Sequence, residues 1–513
     1  MPSQLFARKP LSLLLEEAED DNRLRRCLGP VALTALGVGC VIGAGIFVAT
    51  GKAAHDYAGP ALMLSYVVAG LTCIFAALCY AELASMVPVA GSAFTYAYAT
   101  LGELFAWIIG WDLILEYAVG SATVANGWSS FFQSLLPKLG IHLPHAITAP
   151  PVAYDTALGF HSTGAIINLP AVIIVAIITA ILVKGIKESA GINSAIVAVK
   201  VAAVLFVIMV GAFFFKSENW HPFAPYGWGG VKFFGHPLFG GQQHGMLAGA
   251  AIIFFAYIGF DSVSTHAEEA RNPKRDVPIG IIASLIICTV LYIAVVAVLT
   301  GMQKYDQIDQ GAGVSMAFSS VGLQWAEVIV AIAGVAGITS VLLVNMLSGA
   351  RVFLAMARDG MVPTKFFGAV HPRFRTPHNA TILIGAFVAI ASAFLPLGVL
   401  LEMANIGTLF AFAIVCAAVL ILRKTQPTME RPFRAPLVPI VPVAGIVLCL
   451  VLMFSLETEN WIRLFVWLGI GLVIYFGYSR HHSVIRRQLD RLGATGLPTA
   501  RTVDKGETKP PQK

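Results

Sequence analysis

The chain has 513 residues, of which 57% are hydrophobic and 12% charged, with a mean hydropathy of +0.78. Soluble chains carry about 25% Asp, Glu, Lys and Arg; half that density cannot cover a water-facing surface, so a soluble enzyme is excluded, as is disorder over most of the length. The net charge of +6 would suggest a nucleic-acid partner in a soluble protein, but in a chain whose solvent is lipid the placement of charges matters more than their sum, and no nucleic acid is expected.

Residues 1–30 form a mixed-charge segment with no small-residue cleavage site, and residues 11–26 within it fit a short interfacial helix. Apolar runs long enough to cross about 30 Å of hydrocarbon then follow. They predict twelve transmembrane helices, near 31–50, 60–84, 104–133, 166–183, 192–215, 245–265, 278–300, 325–350, 380–396, 399–422, 437–455 and 463–478. The connection 216–244 is rich in Gly, Pro and aromatics, with Trp220, Tyr226 and Trp228 suited to the membrane interface. The tail 479–513 is polar and basic, a composition that predicts disorder. Each of the seven cysteines falls in a span or on the predicted cytosolic side, so no disulfide framework is implied.

An even number of spans puts both ends on one side. Lys and Arg number 27 in the two ends and the connections on their side, against 6 opposite, so both termini are predicted to be cytoplasmic. One basic residue belongs to no connection: Lys200, about nine residues, or ~13 Å, into the fifth span. A charge at that depth costs on the order of 2.5–3.5 kcal/mol unless it faces a polar interior. Snorkelling to a headgroup is the bland alternative, for which a lysine stem is too short here. Asp112 and Glu116 in the third span, Asp261 in the sixth and Glu402 in the tenth are the carboxylates that share its setting.

The first span crowds Gly37, Gly39, Gly43 and Gly45 into its middle, each weakening a helix by roughly 1 kcal/mol, which predicts local unwinding. A dinucleotide fingerprint does not fit, because the spacing is GxGxxxG without a βαβ pattern. The Gly39/Gly43 pair fits close helix packing equally well. In the sixth span Gly259 precedes Asp261, Ser262 and Ser264, a pattern for a helix that stops and restarts, with Asp261 serving as a cap or touching solute. Interrupted helices five spans apart predict two inverted five-helix units with a midplane site between them. Such breaks free amides that attract a carboxylate and carbonyls that attract an ammonium. Around that site the third span offers Asp112, Glu116, Gly120 and Thr123 on one face, the eighth Thr339, Ser340 and Asn345, and the tenth Asn405 and Thr408. Hydroxyls in apolar helices more often bond their own i−4 carbonyl.

The segments 36–51 (LGVGCVIGAGIFVATG), 81–103, 110–120 (GWDLILEYAVG), 254–281 and 350–363 (ARVFLAMARDGMVP), with the Lys200 span, resemble the cationic amino acid transporter branch of the amino acid, polyamine and organocation superfamily. The resemblance implies an all-α membrane protein of the LeuT type. It divides the chain into a five-helix unit over 31–215, a second over 245–422, two accessory helices over 437–478 and cytoplasmic segments 1–30 and 479–513. It further implies that the backbone of Val41, Ile42, Gly43, Ala44 and Gly45 and of Phe255, Ala256, Tyr257 and Ile258 holds the substrate's charged ends, with Phe255 as a lid and Glu116 facing the site. Ala44 stands where such relatives often carry Thr or Ser, so the expectation there rests on the backbone. Lys200 corresponds to the lysine that replaces an ion in proton-coupled relatives, while Thr339 and Ser340 match a hydroxyl pair used for sodium elsewhere in the fold.

The expected function is therefore secondary transport of amino acids across the plasma membrane, the inner membrane in a bacterium, with protons, or less simply sodium, as the coupling ion. Bacterial members of this type often carry neutral amino acids. Polyamine or organocation transport and amino acid exchange are the alternatives within transporters, and a transport-dead sensor or a channel lies outside them. A membrane enzyme would need clustered catalytic groups that are absent, and no metal or cofactor motif appears. A small membrane-protein partner is neither called for nor excluded.

Overall fold

The protein is described here from a computed structural model, which covers residues 4–9, 28–86, 92–155, 159–185, 190–233, 236–238, 244–265 and 270–487. The proposed interfacial helix at 11–26 and the tail beyond Arg487 lie outside these residues. Helices occur at each of the expected spans. The first is split into α1 (Pro30–Val41) and a second stretch, α2, from Gly45 to Ala58 through π- and α-type turns. There follow α3 (Leu62–Met86), α4 (Ser92–Thr100), α5 (Glu103–Leu135), α6 (Leu169–Lys184) and α7 (Ala190–Gly211). The sixth is split into α8 (Met246–Ile253), with a 3-10 turn over Phe254–Tyr257, and α9 (Ser262–Thr265). After these come α10 (Pro273–Met302), α11 (Gly313–Ser320), α12 (Gln324–Arg358), α13 (His378–Phe394), α14 (Leu397–Thr425), α15 (Ile440–Met453) and α16 (Thr458–Ile474). Among the described residues, seven helical stretches are long and apolar enough to cross a bilayer, and four shorter apolar helices accompany them.

Polarity is inverted relative to a soluble protein. Ile177, Val199, Ile286, Val290, Ile390, Val447 and Val473 are exposed, whereas Asp112, Glu116, Lys200 and Asp261 are buried. Outward apolar surface and inward polar groups are what hydrocarbon demands. α5 is central, with 78% of its apolar window buried, and the stretch that contains α16 is peripheral, with 22%.

Three features depart from the sequence expectation. The connection expected after the first span is helical: α2 continues to Ala58 and turns only at Gly59, whose φ of +59° suits glycine. Lys52 is consequently buried, paired with Asp56 at 2.6 Å. The connection 134–165 contains a hairpin of β1 (Val152–Asp155) and β2 (Gly159–Ser162), paired antiparallel from Val152↔Ser162, and 216–244 contains a second, of β3 (Lys232–Phe233) and β4 (His236–Pro237). These are the strands among the described residues of an otherwise helical chain. Finally, the start of the tail is ordered. Ser479 donates to Met361 O (2.6 Å), Ser483 to Glu103 Oε2 (2.8 Å), and Val484 N to Asp359 O (3.0 Å). The polar residues there have partners, which composition alone does not reveal.

At this same end, Gln4 and Lys9 are buried. Gln4 Nε2 donates to Glu103 Oε1 (3.1 Å) and Arg480 O (2.6 Å), and Lys9 Nζ pairs with Asp359 at 2.8 Å. Gly102 (φ +108°) lies against the backbone of Phe6, where a β-carbon would come within 2.7 Å. Nearby, Glu82 of α3 receives Arg423 Nε and Nη2 (2.9 and 2.7 Å), Arg431 Nε (3.2 Å) and Ala435 N (2.8 Å). That carboxylate ties the α14–α15 connection to α3. Glu82→Ala leaves two guanidinium groups without a counter-ion, which costs about 3–5 kcal/mol; the apparent unfolding temperature in detergent is expected to fall clearly, while Lys274→Ala, at the exposed Lys274–Glu430 pair, leaves it unchanged.

Candidate substrate site at two interrupted helices

At the first break the backbone leaves the helix at Ile42 (φ −71°, ψ 105°). A helix that ends has carbonyls with no amide to accept from, and inside a membrane they need other donors. Here Val38 O accepts from Ile42 N (2.9 Å), Gly39 O from Lys200 Nζ (2.7 Å) and Val41 O from the Tyr292 hydroxyl (2.8 Å). On the other side of the break, Gly43 O accepts from Phe47 N (3.2 Å), so the amides of Ala44, Gly45 and Ile46 are the first-turn donors of α2, a natural seat for an anion.

At the second break Ile258 is extended (φ −57°, ψ 132°) and Gly259 has φ +114°. Asn405 Nδ2 of α14 donates to Ala251 O and Ile252 O, each at 2.9 Å. Phe255 O accepts from Ile258 N at 3.2 Å. Ala256 O lies 3.1 Å from the Tyr292 hydroxyl, the same group that reaches Val41 O. One O–H hydrogen thus serves two carbonyls, one from each break. Asp261 O starts α9 by accepting from Ser264 N (2.8 Å), and the Asp261 carboxylate accepts from Tyr117 OH (3.1 Å).

The glycines of the first break settle both readings of that run. Unwinding and close packing occur together, with a different neighbour for each glycine. A β-carbon on Gly37 would meet Ser284 Oγ of α10 at 2.6 Å, on Gly39 Val197 Cγ2 of α7 at 2.3 Å, on Gly43 Val341 Cγ2 of α12 at 2.4 Å, and on Gly45 the Cα of Ala256 at 2.1 Å. Gly45 against Ala256, and Gly259 against Cys40 O at 3.0 Å, are two places where the interrupted helices touch backbone to backbone.

Lys200 spans from Gly39 to the eighth expected span, its stem lying 3.3–3.8 Å from where a Gly337 β-carbon would be. Val41, Ile42, Gly43, Ala44, Gly45, Phe255, Ala256, Tyr257, Ile258, Glu116 and Lys200 are all buried around this meeting point. At Gly120 an added methyl would fit in ordinary van der Waals contact, with Asn345 Nδ2 at 3.8 Å and Phe255 Cε2 at 3.9 Å. The Phe255 ring edge therefore borders this face of α5, four residues from Glu116. Several hydroxyls follow the bland reading: Thr123 and Thr408 donate to Val119 O and Ala404 O, and Thr339 to Val335 O at 2.7 Å while accepting from Trp128 Nε1 at 2.9 Å. Ser340 donates to Gly337 O at 3.3 Å. Among the described residues no cluster of three metal-ligating side chains occurs.

Toward the other end, α2 is fastened on several sides. Tyr57 OH donates to Glu402 Oε1 (3.0 Å), and Asn460 Nδ2 donates to Glu402 Oε2 (2.6 Å). Gln310 Nε2 donates to Asp56 (3.0 Å) and Tyr226 OH to His55 O (2.5 Å). The Tyr57 ring stacks edge-on to His244 at 5.1 Å. Burial, followed by the Lys232 ammonium, holds that imidazole below its ordinary range and hence neutral at pH 7.

Tyr292 and Asn405 carry the bracing that sequence reasoning did not assign. The sequence pattern puts Asn405 at the site but not on these carbonyls, and the signal for Tyr292 is a phenol in the largely apolar run SLIICTVLYIAVVAVL.

Gly45→Ala should abolish uptake, since the methyl would enter the Ala256 backbone, which cannot give. Gly43→Ala should reduce it by about tenfold or more, and Val341→Ala added to Gly43→Ala should restore part of the loss, because there the obstacle is a side-chain methyl. Radiolabelled uptake, normalised to protein in the membrane, measures both.

A family model described as amino acid permease matches residues 28–476. The methylthioribose transporter of Bacillus subtilis (strain 168) is 44% identical over 94% of this chain and 100% of its own length. The branched-chain amino acid permease of the same organism is 46% identical over 95% of this chain and all of its own length. Cationic amino acid transporter 4, vacuolar, of Arabidopsis thaliana is 37% identical over 83% of this chain and 68% of its own length. With a match over nearly the whole helical region and apolar helices around a buried polar centre, this membrane-embedded chain belongs to the amino acid permease family of the amino acid, polyamine and organocation superfamily.

Proposed function

We propose that the chain is a secondary active transporter that carries a neutral amino acid across the plasma membrane by alternating access, coupled to protons through Lys200. Twelve spans are arranged as two inverted five-helix units, 31–215 and 245–422, followed by accessory helices within 437–478, with both termini cytoplasmic. The substrate carboxylate is held by the amides of Ala44, Gly45 and Ile46, and its ammonium by carbonyls of the two breaks. The side chain lies toward Gly120 under Phe255.

The observation that carries this reading is the Lys200 ammonium on Gly39 O, at the end of α1. A fixed cation there joins the first interrupted helix to α12, and loss of its proton removes the donor and frees α1 to move. The alternative is a permanent brace. Lys200→Ala is expected to retain ligand binding and counterflow exchange but to lose accumulation driven by a pH gradient in sodium-free proteoliposomes. Accumulation that needs sodium, or a pH dependence unchanged in the variant, overturns the coupling.

The neutral side chain is supported by the two branched-chain permease relatives, at 46% and 34% identity, and by the Phe255 ring edge beside Gly120. A second reading, transport of a thiosugar, is favoured by the 44% identity to a methylthioribose transporter. Competition against labelled L-valine separates them: L-leucine and L-isoleucine should compete, whereas methylthioribose, putrescine and valinol, all lacking a carboxylate, should not. Gly120→Val should fill the side-chain space and reject leucine while still admitting alanine. Equal competition by valinol would refute the carboxylate seat. For the orientation, an impermeant thiol reagent applied to intact cells should label Ser217→Cys and miss Arg487→Cys, both exposed positions, in a cysteine-free background.

A further inference from the structure

Two carboxyl groups in the interior have no bonding partner. Asp112 is wholly buried and Glu116 is 3% exposed, and none of their four carboxyl oxygens has a hydrogen-bond partner. They are four residues apart on α5, so they share a face one helical turn, ~6 Å, apart along the axis. Gly120, beside Phe255, continues the same face. Asp112 presses on α14 at Gly407, where a β-carbon would stand 2.9 Å from its Oδ1. The glycine makes room for the carboxyl and supplies no donor.

Nor do the neighbouring helices supply charge compensation. From α14 come Gly407 and Thr408, whose hydroxyl lies close to Glu116 while donating to Ala404 O, and from α3 comes the Tyr80 phenol. From the sixth expected span comes Asp261, itself an acid and bonded by Tyr117. Among the described residues the charged groups that face Glu116 are Asp261 and Asp112, and Asp112 has no cationic neighbour. Two adjacent unpartnered carboxylates, both buried, would each carry the cost of a desolvated ion and repel one another. A proton is the one ligand small enough to sit on these oxygens without displacing Gly407.

We propose that Asp112 is a proton-carrying group in series with Glu116, forming a two-carboxyl relay along α5 between the substrate site and the end of the helix at Glu103. Each transfer breaks an O–H bond on one carboxylic acid and forms one on the other carboxylate once side-chain rotation brings their oxygens into hydrogen-bond contact, so the pair passes one proton without net change. The relay rests on the proton-coupled reading above, and adds a second titrating element distinct from Lys200.

The test uses the purified full-length protein in detergent, with L-leucine as the probe. Infrared difference spectra across neutral pH read the C=O stretch that a protonated carboxylic acid has and a carboxylate lacks, and an indicator dye in weak buffer reads protons released or taken up on leucine addition. Asp112→Asn, isosteric and neutral, should lose part of the acid C=O signal and reduce leucine-linked proton movement by half or more, while Asp112→Glu keeps both. Size-exclusion profiles establish that each variant is folded. Asp112 is not the relay if Asp112→Asn leaves the acid signal intact. The same holds if the signal is lost but proton movement stays at the wild-type level, which would make Asp112 a permanently neutral packing group. Wild-type protein that moves no protons on leucine addition refutes the coupling reading, and the relay with it, so the two failures are told apart by which protein shows them.

Discussion

Backbone groups released inside a lipid-facing bundle must be satisfied by the protein itself, since no water is available to do so. Everything at the centre of this permease follows from having two such breaks side by side. Each interrupted helix ends with carbonyls that need donors, and the donors come from other helices: Lys200 of α7 for Gly39, Tyr292 of α10 for Val41 and Ala256, and Asn405 of α14 for Ala251 and Ile252. A hydrogen bond to a charged donor is worth about 1.5–3 kcal/mol net and a neutral one about half that, so the lysine is the strongest single tie on α1. Bracing of this kind fixes the breaks without making them regular, and leaves the first-turn amides of α2 facing inward.

Glycine lets the breaks come together. The four glycines of the first break remove four different obstacles, from α10, α7, α12 and the second break, so the run acts as a hub where side chains of surrounding helices converge on bare backbone. This explains why local weakness and tight packing coincide here. A helix whose backbone is reached from four sides cannot carry side chains on all of them, and a backbone without side chains is also the one most ready to unwind.

Much of this was legible in the sequence because lipid leaves few options. An apolar run of sufficient length is a helix, four glycines in nine residues are a weak point, and one lysine left over after the connections are counted must have an interior use. The resemblance in motifs then pointed to Val41–Gly45 and Phe255–Ile258, and the two segments do meet, at Gly45 and Ala256. What the sequence did not disclose depends on pairings across long separations. Tyr292 reads as one more apolar residue until two carbonyls are seen at its hydroxyl. Lys52 reads as a loop charge because its partner Asp56 makes sense only if the helix continues, and the polar residues after Ser479 read as a free tail because their partners, Glu103 and Asp359, are more than a hundred residues away in the chain. The Thr339 and Ser340 hydroxyls, which stand out in the sequence as a polar pair, each donate to a carbonyl of their own helix, a local pairing that an isolated sequence pattern does not reveal.

Glu103 receives Gln4 from one extremity of the described chain and Ser483 from the other, with Tyr475 alongside at 3.1 Å. Gln4 also bonds the carbonyl of Arg480, a contact that spans 476 positions. A contact of that separation closes the polypeptide into a ring. During synthesis the first helices enter the membrane long before residue 480 leaves the ribosome, so Glu103 gains its partners Tyr475 and Ser483 only when the last helix arrives. Assembly at this end of the bundle is therefore a closing event of biogenesis, in which the final segment, rather than the earliest, decides when the protein is finished.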